Sequence, residues 1–148
     1  AADDMAADMQ DPDRLAAALA DDDAQGADGG LSHADLVREN ILLDGDEVRF
    51  IDFDDSGFGY RMFDLATALL KNLDEPDAPA LEQALLQGYG AARPLRDHDA
   101  RMLDSFLVLR SLTYLGWAAD RADDQGMAAR AERFLRNARQ MIATRLPG

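Results

Sequence analysis

Cysteine is absent from the 148 residues, which excludes disulfides, thiolate zinc sites and cysteine nucleophiles and fits a cytoplasmic protein. No apolar run approaches the ~20 residues of a membrane span, and no basic-then-apolar signal segment opens the chain, so no membrane partner is expected. Positive charge is also scarce, with 15 basic against 29 acidic residues and a net charge of −14. Such a surface repels nucleic-acid phosphates and argues against a general DNA or RNA binder. Of the acids 24 are Asp, an excess that serves solubility first and would also suit a cationic ligand such as an aminoglycoside. Lysine is nearly missing: Lys71 stands alone against 14 arginines. There is no internal repeat.

What is present is one domain's worth of chain, 47% apolar and long enough for a core. Residues 1–30 are rich in Ala, Asp and Gly. Within them Pro12–Leu19 reads as a short helix behind Asp11 as N-cap, and Asp21–Gly30 as a flexible loop. Ile41–Leu43 and Val48–Ile51 are short apolar runs around Asp44-Gly45-Asp46, a strong hairpin signal. Ser56–Gly59 breaks that pattern, and from Met62 onward the chain reads as helices. Phe63, Ala66, Leu69 and Leu70 share one face of the first. The second is expected over Asp77–Gly88, ending near Gly88-Tyr89-Gly90. The third is expected over Asp97–Asp120, with Leu103, Phe106, Leu107, Tyr114 and Trp117 at helical spacing. The fourth places Met127, Ala131, Phe134, Leu135, Ala138 and Ile142 on one stripe. These stripes, Trp117 included, are expected to be core.

The most specific signal is the run His33-Ala34-Asp35-Leu36-Val37-Arg38-Glu39-Asn40, followed after the hairpin by Ile51-Asp52-Phe53. Phosphoryl transfer needs a carboxylate near the acceptor hydroxyl and oxygen ligands for the magnesium that bridges the phosphates. Asp35, Asn40 and Asp52 are those residue types in the order of the kinase template. Alone, Asp35 reads first as a turn-capping residue, but Asn40 five residues on and Asp52 twelve further favour the catalytic reading. Asn40 offers a neutral hard oxygen for magnesium, or a turn cap; Asp52 offers a carboxylate at a strand end. His33 is expected to hydrogen-bond backbone near Asp52 and tie the two loops together. Asp64, on an otherwise apolar helix, requires a partner and is expected to anchor the catalytic loop. Asp54 and Asp55 flank the metal position, as contacts to magnesium or substrate or as a solvated turn.

Together the His33–Asn40 run, Ile51-Asp52-Phe53-Asp54-Asp55 and Phe63-Asp64-Leu65-Ala66 resemble the aminoglycoside phosphotransferase and choline kinase superfamily, which includes a type of homoserine kinase and some bacterial protein-serine/threonine kinases. The resemblance covers about Leu31–Leu70 by motif and the later helices by architecture. It implies an α+β, mainly α fold: the carboxy-terminal lobe of a protein-kinase-like structure, with a small hairpin carrying the catalytic and metal loops. It implies ATP and Mg2+ as cofactors, Asp35 as catalytic base, and Asn40 and Asp52 as magnesium ligands. The family usually has Gly after the His and often His-Pro-Gly before the Asn; here Ala34 and Val37-Arg38-Glu39 stand there. Many kinases carry Gly where Asp54 stands.

A kinase also needs a strand lobe, a phosphate-covering loop and a lysine on the phosphates. Only 32 residues precede His33, and none reads as a five-stranded sheet. Lys71, downstream of the motif, is out of place for the clamp. The expected organisation is therefore an amino-terminal segment over 1–30 and a kinase-like lobe over 31–148, the catalytic loop and hairpin filling 31–59 and helices 60–148. The nucleotide-binding lobe is expected as a missing partner, with self-association through the uncovered face. The leading expectation is phosphorylation of a hydroxyl on a small molecule such as an aminoglycoside, homoserine or choline. The alternatives are a non-catalytic kinase-like binding module and a serine/threonine protein kinase lobe. A purely helical interaction protein would leave the hairpin and its polar flanks unexplained.

Overall fold

The computed structural model describes residues 29–121 and 124–145. The short helix expected over Pro12–Leu19 and most of the loop expected after it lie outside them. Strand β1 (Gly29–Ser32) opens the described chain, and a 3-10 turn (Arg38–Asn40) leads into β2 (Ile41–Asp44) and β3 (Glu47–Phe50). Strand β4 (Gly57–Tyr60) runs directly into α1 (Arg61–Leu70), followed by α2 (Ala78–Ala92), α3 (Asp97–Ala119) and α4 (Met127–Arg145).

The strands form two separate antiparallel ribbons, β2–β3 and β1–β4. The β2–β3 hairpin turns at Gly45, whose φ of +62° a residue with a side chain rarely adopts. The β1–β4 pairing corrects two sequence expectations: Gly29 and Gly30 belong to a strand rather than a loop, and Ser56–Gly59 does not end strand structure. Glycine hides strands because it has no side chain to show alternation. Tertiary contacts hold this ribbon instead. The Arg61 guanidinium lies across Gly30 in the space a Cβ would take, and donates to the Gly29 carbonyl at 2.5 Å.

The core lies where α1 crosses α3: Met62, Leu65, Ala66 and Leu69 interlock with Met102, Leu103, Phe106 and Leu107. Each fully buried Met or Leu there contributes about 1.5–3 kcal/mol. Tyr60 and Phe63 extend it, their rings 5.3 and 5.9 Å from Phe106. On its other side α3 packs along α4, which buries Met127 and Ala138. Helix α2 runs through Gly88 and Gly90 to Ala92, past the expected end. It stops where Pro94 forces the preceding residue out of the helical region: Arg93 is extended at φ −145°, ψ 117°. Trp117 corrects a further expectation, standing 39% exposed on α3 with the Arg121 guanidinium 4.6 Å above its ring.

Candidate active site

The loop between β1 and the 3-10 turn is tied to the start of α1 by one carboxylate. Asp64, in the first turn of α1, accepts from Ser32 Oγ at 2.9 Å, the His33 N–H at 2.7 Å and the Ala34 N–H at 2.8 Å. Two successive backbone N–H groups on one anion form a nest, which bends the chain sharply. Ala34 accordingly sits at φ +66°. This bend brings Asp35 off the end of the ribbon, and the Val37 N–H closes back on the Asp35 carbonyl at 2.8 Å.

His33 bridges to the second loop: its Nε2 donates to the Ile51 carbonyl at 2.9 Å, and its ring lies 4.5 Å from that of Phe53. Donation from Nε2 fixes the tautomer and leaves Nδ1 buried without a hydrogen-bond partner. The Ile51 N–H donates to the Asn40 carbonyl at 3.1 Å, extending the β2–β3 ladder by one step. Asn40 and the residue before Asp52 are therefore backbone neighbours. Asp52 itself is exposed and held at φ +65°, a left-handed conformation uncommon for a residue with a side chain.

Asn40 is buried, and its Nδ2 donates to the Asp35 carbonyl at 3.0 Å and approaches Asp35 Oδ2 at 3.4 Å. Those contacts set the amide so that Oδ1, the atom suited to a metal, is left over. Asp54 and Asp55 form an exposed turn closed by the Ser56 N–H on the Phe53 carbonyl at 3.0 Å. Neither has a positive φ, so the site at which many kinases carry glycine accepts Asp54 without backbone strain. Asp55 faces the cleft described below, whereas Asp54 does not line it.

Sequence reasoning missed Arg110. From α3 its Nη2 donates to Asp35 Oδ1 at 2.6 Å, across 75 residues of chain. The guanidinium lies 5.4 Å from the Phe63 ring and 4.9 Å from that of Tyr114. Its side chain is only 15% exposed and that of Asp35 34%, so the pair is shielded on the arginine side and open on the carboxylate side. The signal was present: Arg110 occupies the apolar stripe Leu103, Phe106, Tyr114 and Trp117 at spacings of three and four. A charge on such a stripe needs a buried partner.

Asp35 and Arg110 stand on the wall of a cleft of about 860 Å³ between α3 and α4. A groove of about 980 Å³ between α2 and α4 contains none of the motif residues and is lined by side chains such as Leu73, Pro79, Leu86 and Met141. Glu39, beside Asn40, is paired with Lys71 at 3.3 Å. Hydrogen bonding within its own backbone, with help from Lys71, holds its carboxyl below the usual range. No cluster of three or more His, Asp or Glu side chains arranged for a metal occurs among the described residues. Asn40 and Asp52 do carry oxygen donors of the type magnesium takes, an ion that needs only one or two protein ligands and completes its shell with water and substrate phosphates.

The phosphotransferase enzyme family matches residues 1–103. An uncharacterized protein of Deinococcus radiodurans is 34% identical over 108 residues, covering 70% of this chain and 32% of its own length. A homoserine kinase of Neisseria meningitidis is 43% identical over 70 residues, 45% of this chain and 23% of that protein. One from Pseudomonas aeruginosa is 38% identical over 79 residues, 51% of this chain and 25% of that protein. Among solved structures, a microcompartment-associated aminopropanol kinase superposes with a TM-score of 0.70 at 30% identity, covering 84% of this chain and 41% of that one. The chain thus spans a quarter to a third of these curated relatives and less than half of that structure. A kinase shares the arrangement of helices and ribbons, which makes this a kinase-like carboxy-terminal lobe. Since the family match takes in the whole of the loop around Asp35, the hairpin and α1, the chain belongs to the phosphotransferase enzyme family, within the protein-kinase-like superfamily.

Proposed function

We propose that this lobe orients the acceptor and holds the metal in an ATP- and magnesium-dependent kinase acting on a hydroxyl of a small molecule. The observation that carries the reading is the Asp35 carboxylate, fixed through Oδ1 by Arg110 and flanked by the Asn40 amide, with its open side on a cleft. In this reading Asp35 accepts the acceptor hydroxyl's hydrogen bond and takes its proton as the new oxygen–phosphorus bond forms. The bond from the γ-phosphorus to the bridging oxygen breaks, and ADP leaves. Arg110 positions Asp35. Asn40 Oδ1 and the Asp52 carboxylate would hold magnesium, which when bound neutralises charge on the phosphates. His33 ties the two loops together, Asp64 anchors the first of them to α1, and Asp55 faces the acceptor side. The homoserine kinases and the aminopropanol kinase among the relatives favour a small hydroxyl compound over a protein acceptor.

The test uses the chain joined to a nucleotide-binding lobe. Asp35→Asn is expected to lower turnover by about 10²-fold or more while magnesium-ATP affinity stays close to the parent's. Asp52→Asn is expected to lose magnesium-dependent nucleotide binding as well. If both variants bind magnesium-ATP and turn over as the parent does, these roles are wrong.

A further inference from the structure

The cleft beside Asp35 differs in charge from the rest of the molecule. Over the whole chain acids outnumber bases by 29 to 15, yet the cleft wall carries four bases, Lys71, Arg110, Arg130 and Arg133, against three acids, Asp35, Asp55 and Asp74. Several of these are already engaged. Arg110 is paired with Asp35, Lys71 with Glu39, and Asp74 accepts from the Asn137 amide at 3.4 Å. Arg130 and Arg133, one turn apart on α4, have no carboxylate partner among the described residues. Arg133 lies 5.7 Å from the Phe134 ring, and Tyr114 and Trp117 form the facing wall on α3.

From these features we infer that the cleft seats the non-reacting end of the acceptor, and that Arg130 and Arg133 select acceptors carrying a carboxylate. The inference rests on the kinase reading and narrows it to hydroxy acids, with or without an amino group. A guanidinium presents a planar fork that matches a carboxylate, and two of them on one helix face can share a single anion. A polycation such as an aminoglycoside, which the overall acidity would favour, meets the wrong sign of charge here. A neutral or purely cationic amino alcohol leaves both arginines unused.

Trp117 is the only tryptophan and lies on the cleft wall, so its fluorescence reports occupancy without any second lobe. The 148-residue chain is titrated with L-homoserine, 4-hydroxybutanoate and 3-amino-1-propanol. Both carboxylates are expected to change the emission saturably and to bind about tenfold or more tighter than the amino alcohol, the scale of one charge-assisted hydrogen bond. Arg130→Gln combined with Arg133→Gln is expected to erase that difference without changing thermal stability, since both side chains are exposed. Equal or tighter binding of the amino alcohol overturns the inference. So does discrimination that survives the double substitution, or the absence of a saturable response to any of the three. Carboxylate-selective binding by a two-lobed protein that phosphorylates none of them would overturn the kinase reading and leave the selectivity standing. Equal turnover of hydroxy acid and amino alcohol would do the reverse.

Discussion

Among the described residues two with side chains sit in the left-handed region, Ala34 beside the nest on Asp64 and Asp52 at the proposed metal position. Left-handed backbone costs an L-residue roughly 1–2 kcal/mol, and such strain persists only where the surroundings over-determine it. At Ala34 the Asp64 carboxylate imposes the bend through two backbone N–H groups. Glycine, which the family usually carries there, would adopt it without the clash. Ala34→Gly is therefore expected to stabilise the chain by roughly 0.5–1 kcal/mol, part of the gain being offset by a freer unfolded chain. A thermal melt should move up by about 2 °C. A melting point that falls would mean that the Ala34 methyl group makes contacts worth more than the strain it creates. At Asp52 the residues on either side are held instead: the Ile51 N–H and carbonyl bond to Asn40 and His33, and the Phe53 ring packs on that of His33.

At the scale of elements, hydrophobic periodicity located all four helices of the described residues, because each buries a stripe and long stripes are hard to mistake. The second helix end failed because glycine's low propensity was outweighed by packing: the site of a Cβ on Gly90 is 3.7 Å from Leu95 Cδ1, so the last turn of α2 lies on the α2–α3 connection. The β1–β4 ribbon was illegible because its determinants, Arg61 and Asp64, lie outside the strands they organise. Trp117 fits the stripe of α3 but lies beyond the reach of α1, and so lines a cleft rather than the core. The Asp35–Asn40–Asp52 pattern was readable since it is local, whereas Arg110 and the cleft arise only when α3 and α4 pack. A comparable long-range tie closes the far end of the lobe. Arg145 on α4 grips Glu82 of α2 through both oxygens, at 2.6 and 3.0 Å, and Asp104 of α3 at 2.8 Å. These carboxylates, Glu82 first, hold the guanidinium proton more firmly than usual. Arg145→Met is expected to cost about 1.5–3 kcal/mol in denaturant unfolding, because two partly buried carboxylates are left facing each other. Arg145→Lys should recover less than half, a point charge being unable to reproduce the fork. Full recovery by lysine would show that charge alone, not geometry, makes the tie.

For the molecule as a whole, the apolar surface is unevenly distributed. Of the ten exposed large hydrophobic residues among those described, eight fall between Leu31 and Phe58, with Leu31 at 68%, Leu43 at 77% and Phe58 at 93% exposure. The ribbons that carry them are two-stranded, an arrangement marginal in water without something packed against it. Exposed apolar side chains concentrated in one stretch of chain point to an interaction surface. The match covers 41% of the aminopropanol kinase chain, and a nucleotide-binding lobe is the occupant we propose. Two consequences follow for the 148-residue chain studied by itself. Sedimentation should show concentration-dependent association that Phe58→Ser together with Leu43→Ser suppresses. Magnesium-ATP should bind weakly and be consumed slowly, because fixed contacts to both sides of the phosphates supply most of the positioning that lowers the transfer barrier. With one side missing, the nucleotide meets an open surface on a chain of net charge −14. A monomer at all concentrations that binds magnesium-ATP in the micromolar range and consumes it readily would show that this lobe encloses the nucleotide unaided, and that its apolar face serves another purpose.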